Sequence, residues 1–361
     1  MYIQPDAFKL KAALGQVCNA IHSPGVIAGV AIDGETPMIV ANGLGDAALQ
    51  QKLLPIDRLR VGSLTKTFTA VAILQLVEAG ILHLKDPVSR WVPAIPYGNM
   101  ITVEHLLRHT SGLFNYTDSQ DFFSAVQTAP GILKIWEPQE LVAFATKENH
   151  VFSPGQGWAY SNTNYILLGI ILKAATQKSL ASIYRQNIFA PLNMADTFLD
   201  AEETIPGGFI PGFASSPENP SQFSDMTNLM HVSSAWAAGG IISTVKDLLL
   251  FNRALFSGQL LKDTILAQMK DYIVATDPIY SMVSAYGLGL VSMKINGKTV
   301  YGHIGNIPGY SSLMGFLPED KVYLIVLMNQ NYTRLENNKT NVEVMTEKII
   351  EVLSECQDNS R

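Results

Sequence analysis

Apolar residues recur at helical spacing over residues 5–20, where Phe8, Ala12 and Val17 mark one face, so the chain opens on a helix. Two strand-like apolar runs follow, at residues 25–33 and 37–43, with Gly34-Glu35-Thr36 between them as a hairpin turn. An extended stretch then leads to Val61. Residues 65–79 include Phe68, Val71, Ala72, Leu74, Leu76 and Val77 and are mostly apolar all round. That is the mark of a helix buried on every side. Gly80 stands where its C-cap belongs.

From Leu82 to about Ser234 helices and loops alternate. Thr102 is an N-cap with His105 at the third helical position, and residues 138–147 and 164–175 read as helices. Residues 206–220 are dense in Pro, Gly and Ser and predict a long surface loop. A helix over 244–256 comes next. Strand-like runs follow at 287–295, 298–302, 311–317 and 322–329, and a final helix spans 341–353. Strands thus occupy both ends of the chain and helices its middle. The pattern predicts an α+β fold, an antiparallel sheet built from both chain ends and flanked by helices, with a mainly helical insertion. Residues 1–75 and 235–361 are the expected sheet part, residues 76–234 the insertion, and a site is expected between them.

Composition narrows the function classes. The 361 residues are enough for two structural units, and 47% hydrophobic residues can fill a large core. Charged residues make up 16%, which excludes a disordered polyelectrolyte. A net charge of −6 with no basic cluster argues against a nucleic-acid partner. No run of about 18 apolar residues predicts a membrane span. Residues 1–14 hold no apolar core followed by a cleavage site, so a cytosolic protein and one exported by a signal outside this sequence both stay open. Cys18 and Cys356 lie near opposite ends, and two buried free thiols are expected in preference to a bridge.

Three motifs carry chemistry. In Ser63-Leu64-Thr65-Lys66 the lysine lies one helical turn from the serine. A serine hydroxyl needs a base, and a helix N-terminus places positive potential where an oxyanion forms. The apolar helix behind the motif would desolvate Lys66 and lower its pKa. Tyr160-Ser161-Asn162, introduced by Pro154-Gly155, sits before an apolar helix. Its phenol can act as acid or base, and Asn162 can hydrogen-bond a substrate amide. His303-Ile304-Gly305 lies in a strand-like region, where glycine permits close approach of a ligand backbone. Each motif alone has a plainer structural reading, as a cap, a loop tyrosine or a half-buried strand histidine.

Other chemistries fare worse. His105 and His109 are four apart, but the first is not followed by glutamate and no third ligand stands out, so no metal or other cofactor is expected. Gly43-Leu44-Gly45-Asp46-Ala47-Ala48 matches a dinucleotide fingerprint in form, yet residues 51–60 contain Pro55 and start no helix. No G-x-S-x-G string exists.

In order and spacing the three motifs resemble the penicillin-recognising serine hydrolases, which include class C β-lactamases, D-Ala-D-Ala carboxypeptidases, D-amino-acid amidases and related esterases. Leu106-Leu107-Arg108-His109-Thr110-Ser111-Gly112-Leu113, Phe152-Ser153-Pro154-Gly155, Ala238-Gly239-Gly240, Tyr286-Gly287-Leu288-Gly289 and Pro308-Gly309-Tyr310 extend the likeness over about residues 10–350. The resemblance implies a β-lactamase/transpeptidase-like fold and a serine acyl hydrolase that forms an acyl-enzyme on Ser63. Either Lys66 or Tyr160 would be the base. Asn162, His303 and Gly305 would bind substrate, and the backbone amides of Ser63 and Asn306 would form the oxyanion hole. The implied partner is a small molecule or short peptide, and the implied location is periplasmic or secreted. His303-Ile304-Gly305 departs from the K-T-G of β-lactamases. An ordinary histidine is mostly neutral at pH 7, and carboxylate affinity should rise below about pH 6.5. The bet therefore moves toward a DD-carboxypeptidase or a D-amino-acid amidase or aminopeptidase. A carboxylesterase, a weak class C-like β-lactamase and an inactive binding homologue are the alternatives.

Overall fold

The computed structural model describes residues 6–33, 35–216, 218–219, 222–277, 279–335 and 338–358. Pro5 of the first predicted helix, Gly34 of the predicted turn and Pro220 of the predicted loop lie outside these residues. The main sheet is antiparallel. From one edge its strands are Gln51–Lys52, Met38–Asp46, Gly25–Ile32, Val322–Met328, Tyr310–Leu317, Lys298–Ile307, Val291–Ile295, Val283–Tyr286 and Ile273–Val274. At its centre an N-terminal strand pairs with a C-terminal one, Val26 opposite Met328 and Ile32 opposite Val322. The sheet built from both chain ends, expected from the sequence, is the observed one.

Every residue of Gly25–Ile32 is buried, because both faces are covered. Val26, Ala28 and Val30 join Leu10 and Leu14 of helix Ala7–Ala20 and Met345 and Ile349 of helix Asn341–Asp358. Ile27 and Ala31 face the other way and join Leu248 and Phe251 of helix Val245–Phe256. This is the period of two that a strand imposes. At Gly29 a Cβ would lie 2.3 Å from Val245 Cγ1, so that helix rests close on the sheet.

Helix Thr65–Glu78 ties the sheet side to the helical middle. All its residues from Thr65 to Leu74 are buried. Phe68 stacks on Phe251 at 3.7 Å between centroids and meets Phe189 edge-on at 5.9 Å. Helices Asn162–Thr176 and Trp236–Gly239 pack beside it.

Four expectations need correction. The strand expected over 287–295 begins only at Val291 and runs to Ile295, and a separate strand, Val283–Tyr286, precedes it. Between them Leu288 and Leu290 are core residues, and Gly289 turns at φ +77° with room for no Cβ, since one would lie 2.3 Å from Ala70 Cβ. Residues 206–220 are not a plain surface loop: Phe213–Ser215 pairs with Phe223–Asp225, and buried Ile210 accepts from the Tyr310 hydroxyl at 2.7 Å. The apolar helix starts at Asn162, not 164, with Ser161 as its N-cap. Cys18 and Cys356 are both free, but only Cys18 is buried. Among the described residues no single helix is long and apolar enough to cross a membrane.

Phe68 tests the packing that carries this architecture. Phe68→Ala should cost about 3–5 kcal/mol of unfolding free energy, read from urea denaturation. A loss below about 1 kcal/mol would show that the helix is not held by this contact.

Candidate active site

From residue 59 to residue 74 every position is buried except Ser63. The sequence exposes it with Gly62, whose φ is +53° and where a Cβ would meet the amide nitrogen of Asn306 at 2.8 Å. Only glycine tolerates both the angle and the approach. The 3-10 turn Gly62–Leu64 then runs directly into helix Thr65–Glu78. Ser63 therefore sits at the positive end of a buried helix.

Lys66 has no exposed surface. Its Nζ donates to Asn162 Oδ1 and to the Ala238 carbonyl, each at 2.7 Å, and lies 2.8 Å from Ser63 Oγ. The rings of Tyr160 and Tyr165 flank it at 4.9 and 5.6 Å. Desolvation holds the amine well below its usual 10.5. The Tyr160 hydroxyl donates to Ser63 Oγ at 2.9 Å. Burial pushes this phenol well above 10, and the bond to Ser63 pulls it part of the way back. The arrangement thus sets the serine between an amine pushed toward its neutral form and a phenol held protonated.

The remaining predicted residues are placed less evenly. Asn162 spends its oxygen on Lys66, while its Nδ2 donates to Thr117 Oγ1 at 3.2 Å. Asn306 and His303 both line the cavity beside Ser63. Gly305 does not face it. A Cβ there would lie 2.1 Å from the Val61 carbonyl, so this glycine admits the serine-bearing turn and not a ligand. His303 is 2% exposed. Its Nδ1 lies 2.7 Å from the Ile304 carbonyl, which can only accept, so Nδ1 bears the hydrogen. The Tyr286 hydroxyl then donates to Nε2 at 2.9 Å. Burial first, then the neighbouring Lys66, push this imidazole down to about 3. The expected switch near pH 6.5 is therefore overturned, because His303 stays neutral.

His105 and His109 form no shared ligand pair. His105 Nδ1 accepts from the Thr102 amide in a capping box. His109 is buried at φ +61° and brackets Tyr160. Its carbonyl accepts from the Ala159 amide at 3.1 Å, and its Nδ1 accepts from the Ser161 amide at 3.2 Å. Its ring lies 4.4 Å from that of Tyr160. The sequence reading placed His109 in a characteristic segment without a role, because the bracket depends on a contact 52 residues away. Among the described residues no group of three or more His, Cys, Asp or Glu stands together as metal ligands.

Ser63 opens on a cavity of about 720 Å³. Its lining includes Tyr116, Phe122 and Met230, which pack with one apolar cluster, and Trp158, Tyr280 and Tyr286, which pack with another. No lysine or arginine is among its described lining residues, whereas Asp118 and Asp277 are. Burial raises the pKa of both carboxyls above the usual 3.8.

A family model described as Beta-lactamase matches residues 11–344. Penicillin-binding protein 4* of Bacillus subtilis is 30% identical over 75% of this chain, which spans 60% of that relative's length. The D-amino acid amidase of Ochrobactrum anthropi SV3 superposes with a TM-score of 0.86 at 29% identity, covering 98% of this chain and 99% of that one. A D-stereospecific amidohydrolase from Streptomyces sp. gives 0.81 at 32% identity, covering 96% and 98%.

Two outcomes follow from the buried histidines. Below about pH 6.5 the unfolded chain protonates position 303 while the folded chain does not until about 3, so stability falls on acidification through that window. His109, also held well below 6.5 by burial, adds to the slope. Each contributes up to about 1.4 kcal/mol per pH unit. Urea unfolding at pH 6.5 and pH 5 should show a loss that His303→Gln reduces, and an unchanged loss in that variant would refute the assignment. Asn at position 109 keeps an acceptor near Nδ1 and tolerates the backbone angle. His109→Asn should therefore retain more kcat than His109→Ala, and the Ala loss should vanish in a Tyr160→Phe background.

Proposed function

The chain belongs to the beta-lactamase family, and from that premise we propose that it is a serine acyl hydrolase cleaving amides of D-amino acids that carry a free amino group. Ser63 attacks the carbonyl carbon. Neutral Lys66 gives its two hydrogens to Asn162 Oδ1 and the Ala238 carbonyl, which leaves its lone pair toward Ser63 Oγ. Lys66 is therefore the base. Tyr160, held protonated, passes a proton to the leaving nitrogen, and the proton taken up by Lys66 restores it. The amides of Ser63 and Asn306 hold the oxyanion. Water then repeats the sequence on the ester to release the acid.

The charge of the cavity carries the choice of substrate. K-T-G offers a carboxylate a cation and a hydroxyl, while here stand a neutral His303 and Ile304. With Asp118 and Asp277 in the lining, a substrate ammonium is favoured and a substrate carboxylate opposed. This supports an amidase or aminopeptidase over a carboxypeptidase or a β-lactamase. The D configuration is supported by the D-amino acid amidase and the D-stereospecific amidohydrolase among the structural neighbours.

The test is a panel of D- and L-phenylalanine amides, an N-acyl-D-Ala-D-Ala acid and a chromogenic cephalosporin. The D-amide should have the highest kcat/KM, a fluorophosphonate should label Ser63, and Ser63→Ala should abolish both. Lys66→Met should lower kcat about 10²–10⁴-fold. In the native protein kcat should fall as acid protonates Lys66, because an ammonium cannot take the serine proton. Best turnover of the D-Ala-D-Ala acid or the cephalosporin would sink this reading.

A further inference from the structure

A primary amide releases only ammonia, yet the cavity at Ser63 has a volume of about 720 Å³. Its two walls belong to different apolar clusters. Tyr116, Phe122 and Val126 pack with the helical middle of the chain. Tyr280, Tyr286, Val291 and Ile304 pack with the sheet, and Trp158, Tyr160 and Val283 lie against them. Asn162 is bound to the first wall, through Asn115 and Thr117. Tyr160 belongs to the second. His109 sits between the rings of Tyr160 and Tyr286, at 4.4 and 4.7 Å, and Trp158 lies 6.0 Å from Tyr286.

The reading of Tyr160 as proton donor, on which this step rests, decides which wall meets which half of the substrate. A general acid must lie within hydrogen-bond reach of the leaving atom. The leaving group therefore lies along the Tyr160 wall and the acyl part along the Asn162 wall. The leaving-group wall is aromatic and aliphatic. His303 in the lining is neutral, and the acidic group beside this wall is Asp277, whose Oδ1 accepts from the amides of Ile279 and Tyr280.

We propose that the wall formed by Trp158, Tyr280, Val283 and Tyr286 is a leaving-group subsite for a bulky, apolar group that bears no carboxylate. Carboxyl-capped peptides and arylalkyl amides fit it. Free dipeptides do not, because their terminal carboxylate would meet Asp277 and no cation. Ammonia leaves the subsite empty.

Four substrates with one acyl part separate these cases: D-phenylalanine amide, its N-benzylamide, D-Phe-D-Phe amide and D-Phe-D-Phe acid. Burying one phenyl ring should make the benzylamide and the dipeptide amide about 10- to 100-fold better in kcat/KM than the primary amide. The dipeptide acid should trail its amide by at least about tenfold. Val283→Lys places a cation on the wall and should shift the acid-to-amide ratio about tenfold toward the acid. Equal kcat/KM for the primary amide and the dipeptide amide, or a ratio unmoved by Val283→Lys, would overturn the subsite while leaving the acyl-hydrolase reading intact. No turnover of any of the four would overturn both.

Discussion

A primary amine with no exposed surface stands at the centre of this structure. Burying an ammonium costs several kcal/mol, and the cost is lowered most simply by giving up the proton. Lys66 is held by Ser63 three residues away, by Asn162 ninety-six away and by Ala238 one hundred and seventy-two away. Each contact comes from a different part of the chain. The helix that carries Lys66 is buried on all sides only because the sheet side, helix Asn162–Thr176 and the Trp236–Gly239 turn close on it together. Assembly of the fold is thus also what drives the Lys66 pKa down.

The same dryness sets the other groups. Tyr160 is pushed upward and His303 downward, burial being the largest cause in both. Burial favours the neutral form of every group it touches. The result is an amine pushed toward its neutral form, a phenol held protonated and a neutral imidazole around one hydroxyl. Among the described lining residues the carboxyls Asp118 and Asp277 are the acidic ones, and burial raises both of them less than it moves the fully buried groups.

Much of this was legible in the sequence, and the boundary has a physical origin. Ser63 and Lys66 were readable because their contact spans a single helical turn and the apolar helix announces its own burial. The sheet from both chain ends was readable because strand periodicity is local and strands at both ends with helices between them favour one shared sheet. Residues 287–295 misled because Leu288 and Leu290 are apolar for a turn packed in the core, not for a strand. The expected loop misled because a stretch rich in Pro, Gly and Ser also carries the strand Phe213–Ser215, which pairs with Phe223–Asp225, and the Ile210 carbonyl that accepts from Tyr310. The bracket of His109 on Tyr160 and the donor from Tyr286 to His303 join residues remote in sequence, and no spacing rule contains them. The acidity of His303 was misjudged for the same reason, since it depends on what buries the ring.

A lysine at position 303 would have altered two properties at once. It would have drawn carboxylates into the cavity, and its charge would have pushed Lys66 further down by direct repulsion. With a neutral histidine there, desolvation alone lowers Lys66, so the share of Lys66 present as the neutral amine depends on how dry the site is. Ligand groups that cover the cavity therefore act on catalysis as well as on binding. An apolar group against Trp158 and Tyr286 removes water from the side of the pocket where Tyr160 meets Ser63. A carboxylate in the same place brings its own hydration and a charge that stabilises the ammonium form of Lys66. His303-Ile304-Gly305 in place of K-T-G thus links ligand charge to Lys66: a carboxylate, which the cavity offers no cation, would also favour the ammonium form of Lys66.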